Sequence, residues 1–297
     1  LDELVDAYDE PFGDSSGLPT YIVSRMAREH VTVALTGDGG DEVFAGYPRF
    51  AGFALAERVP GWIWGPARAL AARLPHVSDF RSPLRRAQRF LAAAAAPADE
   101  RMLRWIGYVT DDLAAVLGPE LRETLEWDGL LESFREPLAF AAAESPLARV
   151  LQLNFETYLP EDLLVKADRC SMAHGLELRS PFLDTALVEW AASLPDRLRI
   201  RGRRLKALLK DAFPDLLPEA IRTRGKMGFG IPLPTWLRTR WRGLLEERLL
   251  TEEARVWAWL DRGAVLELAR RHQQGEADHG HALWALMTLE TWLRRRA

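Results

Sequence analysis

The sequence predicts an α/β fold that is mainly helical, and three observations carry the prediction. A helical pattern from Ser15 to His30 runs into the apolar stretch VTVAL, Val31 to Leu35, and then into the glycine and acid loop TGDGGDE. Residues 51 to 149 are dominated by alanine, leucine and arginine, broken by Pro60, Pro66, Pro75, Pro83 and Pro97. After Trp236 the chain is again amphipathic and helical, rich in tryptophan and arginine. Helix, buried strand, glycine loop and helix make half of a parallel α/β unit, in which ligands bind beyond the carboxyl ends of the strands.

Taken in order, LDELVDAYDEPF at the start looks like the tail of a helix and suggests a chain cut from a longer one. Ser15 or Ser16 suits a helix cap and Pro19 a first turn; Ile22, Val23 and Met26 recur at helical spacing, and Arg28 and His30 sit where a carboxyl end favours positive charge. Val31 to Leu35 is expected to be a buried strand. Further on, Pro160, Glu161 and Asp162 open a helix whose Leu163, Leu164 and Ala167 should face inward, with His174 and Gly175 closing it. The segment GLELRSPFLD then runs extended, so that Glu177 and Arg179 project to one side before a helix near Asp184. RTRGKMGFGIP, with three glycines around Lys226, predicts a shaped loop. No repeat of fixed period is visible, and residues 1–297 are read as one domain.

Composition narrows the function classes. A hydrophobic share of 48% and a charged share of 28% describe a soluble globular chain of 297 residues. Net charge is -4, which gives no overall attraction to nucleic acid or anionic lipid. Cys170 is the only cysteine, so neither an internal disulfide nor a cysteine zinc cluster forms, and a cytoplasmic setting is expected. The tract FLAAAAAPA from Phe90 is too short and weakly apolar for a membrane span.

Three stretches carry chemistry. In LTGDGGDE, glycines after a strand let backbone N–H groups turn toward phosphate, while Asp38, Asp41 and Glu42 supply oxygens for magnesium. The bland alternative is a tight turn with solvated acids, and the GGDE letters also match a cyclase signature whose hairpin Gly46 and Pro48 would spoil. KADRCSMAHGLELRSPFLD gathers Lys166, Asp168, Arg169, Glu177 and Arg179 among apolar residues, where charges persist as structural pairs or against a charged ligand. Cys170 reads as packing. Lys226, hinged by glycines, is placed to reach a developing negative charge, or else is a surface lysine. Asp278 to His281 reads as a turn and helix cap rather than a metal site.

Together, DEPFGDSSGLP, LTGDGGDEVFAGY, LPEDLLVKADRCSMAHGLELRSPFLD and LPEAIRTRGKMGFGIP, in that order, resemble the synthetase domain of glutamine-dependent asparagine synthetases. The likeness is dense over residues 1 to 50 and 151 to 240. It implies a nucleotide-binding fold of the ATP-pyrophosphatase type with a remnant parallel sheet, and it implies ATP and magnesium. Aspartate would be activated as an aspartyl-adenylate, then amidated by ammonia released from glutamine in an upstream glutaminase domain. Carried onto this sequence, the resemblance makes Thr36, Gly37, Asp38, Gly39 and Gly40 nucleotide contacts and Asp41 a magnesium ligand. It places Glu42, Arg169, Glu177 and Arg179 around the substrates, and gives catalytic roles to Asp38 and Lys226. Asp38 stands where the family often has glutamate, one methylene longer. The first phosphate loop, S-G-G-x-D-S, does not occur, so this chain alone is expected to be inactive. Other readings are the same adenylation of another acid, in peptide, lactam or polysaccharide amidation, or a decayed domain that binds a partner through its tryptophans.

Overall fold

In this computed structural model residues 1–71, 73, 82–107, 113–141, 144–202, 204–225 and 228–296 are described. Among them the fold is helical around one small parallel sheet, in which β1 (Val33–Leu35) pairs with β2 (Glu177–Arg179). The register sets Val33 opposite Glu177, Ala34 opposite Leu178 and Leu35 opposite Arg179. The long connection between them is helical wherever it is regular, as a parallel crossover requires. The carboxyl-terminal segment beyond Trp236 is also helical, and includes Arg262–Gln273 and Gly280–Arg295.

Two apolar clusters hold most of the buried side chains. One joins Leu4, Tyr8 and Cys170 to Leu237, Leu245, Val265, Leu283, Trp284 and Met287, locking the first helix (Asp2–Tyr8) between Val165–Met172 and the last helix. The other packs Phe50, Phe53, Met102, Phe134, Val150 and Leu153. Val43, Phe44 and Ala191 form a smaller cluster with Phe182 and Leu183 directly behind the glycine loop.

Several sequence expectations hold at the level of elements. A helix covers Gly17–Arg28, although the Ser16 hydroxyl at its cap position donates to Asp14 instead of capping; Gly175 ends the helical segment with φ of 67°, and the Asp184 carboxylate accepts from the Leu187 amide at 3.2 Å to start Thr185–Ala192. The Gly280 amide donates to Asp278 at 3.2 Å at the start of the last helix, as a turn and cap demand.

The expected burial does not hold. Val31, Val33 and Leu35 are 44%, 46% and 76% exposed, and Ile22, Val23 and Met26 are exposed as well. The strand has one neighbour, β2, and no described element lies over these side chains, so apolar spacing alone misread them as core. On Val165–Met172 the inward residues are Lys166, Cys170 and Ser171, while Leu163, Leu164 and Ala167 are only half-buried.

Candidate active site

The ladder between β1 and β2 runs one residue past the strands: the Thr36 amide donates to the Arg179 carbonyl at 2.8 Å, and the Thr36 and Ser180 hydroxyls meet at 3.0 Å. This fixes where the loop leaves the sheet. Gly39 then takes φ of 84°, and a Cβ there would collide with the Leu183 side chain. At Gly40 an added Cβ would lie 3.1 Å from the Phe182 ring. Both glycines therefore serve close packing on the short turn Pro181–Leu183, whereas Gly37 is exposed with open space around it. Asp38 is half-buried in the same loop.

Past the one-turn helix Gly40–Val43, Ala45 adopts φ of 56° and the Gly46 amide donates to the Asp41 carbonyl at 2.7 Å. A Cβ on Gly46 would strike the Asp41 carboxylate and the stem of Lys206. Those two side chains are ion-paired, Lys206 Nζ to Asp41 Oδ1, at 2.8 Å. Lys206 itself has φ of 52°, a left-handed conformation that a lysine adopts only at a cost.

Glu42 points the other way. It is 3% exposed and accepts from the Tyr47 hydroxyl at 2.7 Å, and burial holds its carboxyl above the usual carboxylate range against that hydrogen bond. The Arg49 guanidinium lies 4.0 Å from the centre of the Tyr47 ring and 4.5 Å from that of Tyr158, while Arg49 Nη2 donates to Asn154 at 2.7 Å. Glu42 thus ties the loop to Tyr47 in the interior.

Tyr158 leads to a π-helical turn, Leu159–Leu164, of a kind frequent at functional sites. Here Lys166 Nζ sits 2.5 Å from Asp14 and 3.4 Å from Asp162. Burial and the Asp14 charge push the Asp162 carboxyl up to about 7, whereas Asp14, though buried, is held below its ordinary value by Lys166 and by hydrogen bonds from Ser16. A cavity of about 590 Å³, walled in part by Phe134, Pro137, Tyr158, Glu161 and Asp162, opens beside it.

The other expected site residues are placed less closely. Arg179 joins the loop through its backbone, but its guanidinium pairs with Glu177 on the exposed side of β2. Arg169 is exposed on Val165–Met172. Lys226 lies outside the described residues. Cys170 is wholly buried, its sulfur 3.2 Å from the Tyr8 hydroxyl, and burial pushes its thiol up to about 11, which fits packing.

Sequence reading overlooked Lys206, Tyr47 and the Asp14 partnership. The four-residue spacing of Asp162 and Lys166 was a legible helical pair, but Asp14 and Lys206 are brought in by folding across long separations. As to magnesium, among the described residues no three acids converge as a metal cluster. Magnesium usually keeps several waters and takes one or two carboxylates plus substrate phosphates, so a single carboxylate that already stabilises a cation is a fitting donor. Asp41, seated on Gly46 and facing an ammonium, meets that description.

The family model described as asparagine synthase matches residues 1–294. The chain belongs to the asparagine synthase family. It is 27% identical over 295 residues to the Bacillus subtilis protein named asparagine synthetase [glutamine-hydrolyzing] 1, covering 98% of this chain and 45% of that one. A Mycobacterium bovis protein, named provisionally as an asparagine synthetase of the glutamine-hydrolyzing kind, is 31% identical over 297 residues, with 98% of this chain and 44% of the relative covered. The human asparagine synthetase [glutamine-hydrolyzing] is 38% identical over 108 residues, 35% of this chain and 18% of that protein. The chain thus spans about half the length of the first two of these curated relatives. In this asparagine synthase family chain, no described helix is long and apolar enough to cross a membrane.

Proposed function

We propose that this chain is the carboxyl-terminal part of an ATP-dependent amide-forming ligase, with a nucleotide fold of the ATP-pyrophosphatase type, that activates aspartate as an acyl-adenylate in the cytoplasm. The observation that carries the reading is the loop Thr36 to Asp41 at the carboxyl end of β1, tied to β2 and holding a carboxylate against a cation. Family membership supports the ligase class, the relatives' names give asparagine as product and glutamine as the compound hydrolysed, and aspartate and ammonia are what the sequence resemblance implies.

On this reading Thr36 and Gly37 lie against the nucleotide, where Gly37 offers backbone with no side chain in the way. Asp41 holds magnesium, which when bound neutralises phosphate charge. Asp38, in the same loop, orients the attacking amine. Lys226 stabilises the departing pyrophosphate, and the glycines beside it in sequence allow the approach. Arg169, Glu177 and Arg179 line the route by which ATP and the acid enter. Pyrophosphate contacts of the S-G-G-x-D-S kind, absent from these residues, come from elsewhere in the full protein, as does the glutaminase, so this chain alone forms no amide.

One feature favours a second acceptor. Asp38 is one methylene shorter than the glutamate common at this position in the resemblance, which suits a differently posed acid in a peptide, lactam or polysaccharide. The test is ATP–pyrophosphate exchange by the full-length protein with aspartate and a panel of carboxylic acids. Aspartate-dependent exchange supports the first reading; exchange with another acid alone keeps the chemistry and changes the substrate. Absence of exchange with every acid, from folded protein, sinks both and leaves a binding protein.

A further inference from the structure

The Asp41 carboxylate is not waiting in water. Lys206 approaches it at 2.8 Å, both side chains are mostly buried, and Gly46 leaves the space in which the two lie against each other. A divalent cation and this ammonium seek the same oxygen and repel one another. The lysine also arrives from a segment crowded with positive charge. Arg204 and Arg201 share the Asp211 carboxylate at 2.6 and 3.1 Å, and Lys210 is held below its usual range by burial and by Arg204 and Lys206. Once detached from Asp41, the Lys206 ammonium would stand among cations with Asp211 already shared.

We propose that Lys206 is an exchangeable counter-ion of Asp41, so that a divalent metal enters well only together with a polyphosphate whose charge receives the displaced ammonium. The inference rests on the reading of Asp41 as a magnesium ligand and adds a positioning residue to it. Lys206 keeps the carboxylate oriented before ligand arrives, and it discriminates free metal from metal with polyphosphate. By linkage, the metal then raises polyphosphate affinity by the same factor as polyphosphate raises that of the metal. The left-handed backbone of Lys206 starts the helix Ala207–Ala212 and fixes where the side chain emerges.

The test uses manganese(II) alone, with free ion followed by electron paramagnetic resonance on the full-length protein at constant ionic strength. Removing the ammonium in Lys206→Met should tighten manganese binding about tenfold, the scale on which an adjacent opposite charge shifts a carboxylate's proton affinity. Lys206→Arg should bind as wild type does. Lys206→Asn serves as a second neutral variant, because asparagine tolerates the left-handed backbone, and circular dichroism of each variant establishes folding. Asp41→Asn should abolish the gain in either background, which separates this site from the other acids of the surface. Adding inorganic pyrophosphate should tighten manganese on wild type more than on Lys206→Met. Equal or weaker manganese binding by both neutral variants overturns the proposal, as does a gain that survives Asp41→Asn or equal pyrophosphate coupling in wild type and Lys206→Met. Because no acid activation is measured, failure of adenylation in the exchange assay would leave these outcomes readable.

Discussion

Lys166 holds Asp14 across 152 positions of sequence, ammonium to carboxylate at 2.5 Å, with Asp162 on its other side at 3.4 Å. Asp14 lies before the helix Gly17–Arg28 and Lys166 on Val165–Met172, so the pair clamps together the helices that precede β1 and β2 in the chain. Two carboxylates around one ammonium leave one negative charge in excess. The structure resolves this by keeping Asp14 ionised and raising the proton affinity of Asp162.

Deleting the ammonium should therefore be severe. Lys166→Met leaves a buried carboxylate without its partner, and loss of one member of such a pair costs about 3–5 kcal/mol. Urea unfolding should show this fall in midpoint, and the double variant Lys166→Met with Asp14→Asn should recover a large part of it. If the single variant unfolds within about 0.5 kcal/mol of wild type, the scale of an ordinary surface change, the clamp is not what joins these helices.

Asp162 makes a pH prediction of unusual sign for a carboxylate. Its folded value of about 7 stands above its unfolded value of about 4, so the folded state binds the proton more tightly. Its contribution is fully present below the unfolded value and is lost as pH rises through about 7. Asp14, shifted the other way, loses its contribution as pH falls below the usual carboxylate range. Stability measured by urea from pH 5 to 8 should decline with pH in wild type and much less in Asp162→Asn. Parallel pH profiles for the two proteins would show that Asp162 is ionised throughout.

The thiol offers a simpler check. Cys170 is 0% exposed, hydrogen-bonded with the Tyr8 hydroxyl and donating to the Gly17 carbonyl, and its thiol is pushed up to about 11 by burial. Because the thiolate is the reactive form, a disulfide reagent at pH 8 should label it only as fast as the chain opens. Labelling should be complete in urea and near zero in native buffer over the same minutes. Rapid native labelling would contradict the packing of the first helix against Val165–Met172.

How much of this was legible in the sequence depends on the range of the interaction. The loop after β1, the extended Glu177 to Arg179 and the cap at Asp184 are written in adjacent residues, where glycine, alternation and capping chemistry act locally. The exposed Val33 and Leu35 were misread because periodicity reports an apolar face without saying what covers it. The contact between Glu42 and Tyr47 was not legible, because nothing in GGDE reveals that Tyr47, five positions on, donates to its carboxylate. Lys206 was invisible because its partner Asp41 is set by the chain's return, and no local spacing encodes that meeting.

The glycines of the loop divide into two kinds, and substitution should separate them. Gly39 has φ of 84° and its missing Cβ makes room for Leu183, so Gly39→Ala combines backbone strain with overpacking. Each effect costs about 1–3 kcal/mol, and the urea midpoint should fall accordingly. Gly37 has nothing within 4 Å of an added Cβ, so Gly37→Ala should change stability by no more than about 0.5 kcal/mol. A methyl group there nevertheless stands where the proposed nucleotide would approach. Gly37→Ala in the full-length protein should therefore keep its unfolding midpoint while the KM for ATP in pyrophosphate exchange rises severalfold. If instead Gly37→Ala leaves exchange unchanged, the nucleotide does not pass over this residue. If it unfolds as readily as Gly39→Ala, the open space at Gly37 is closed in solution by packing of the kind that Leu183 provides at Gly39.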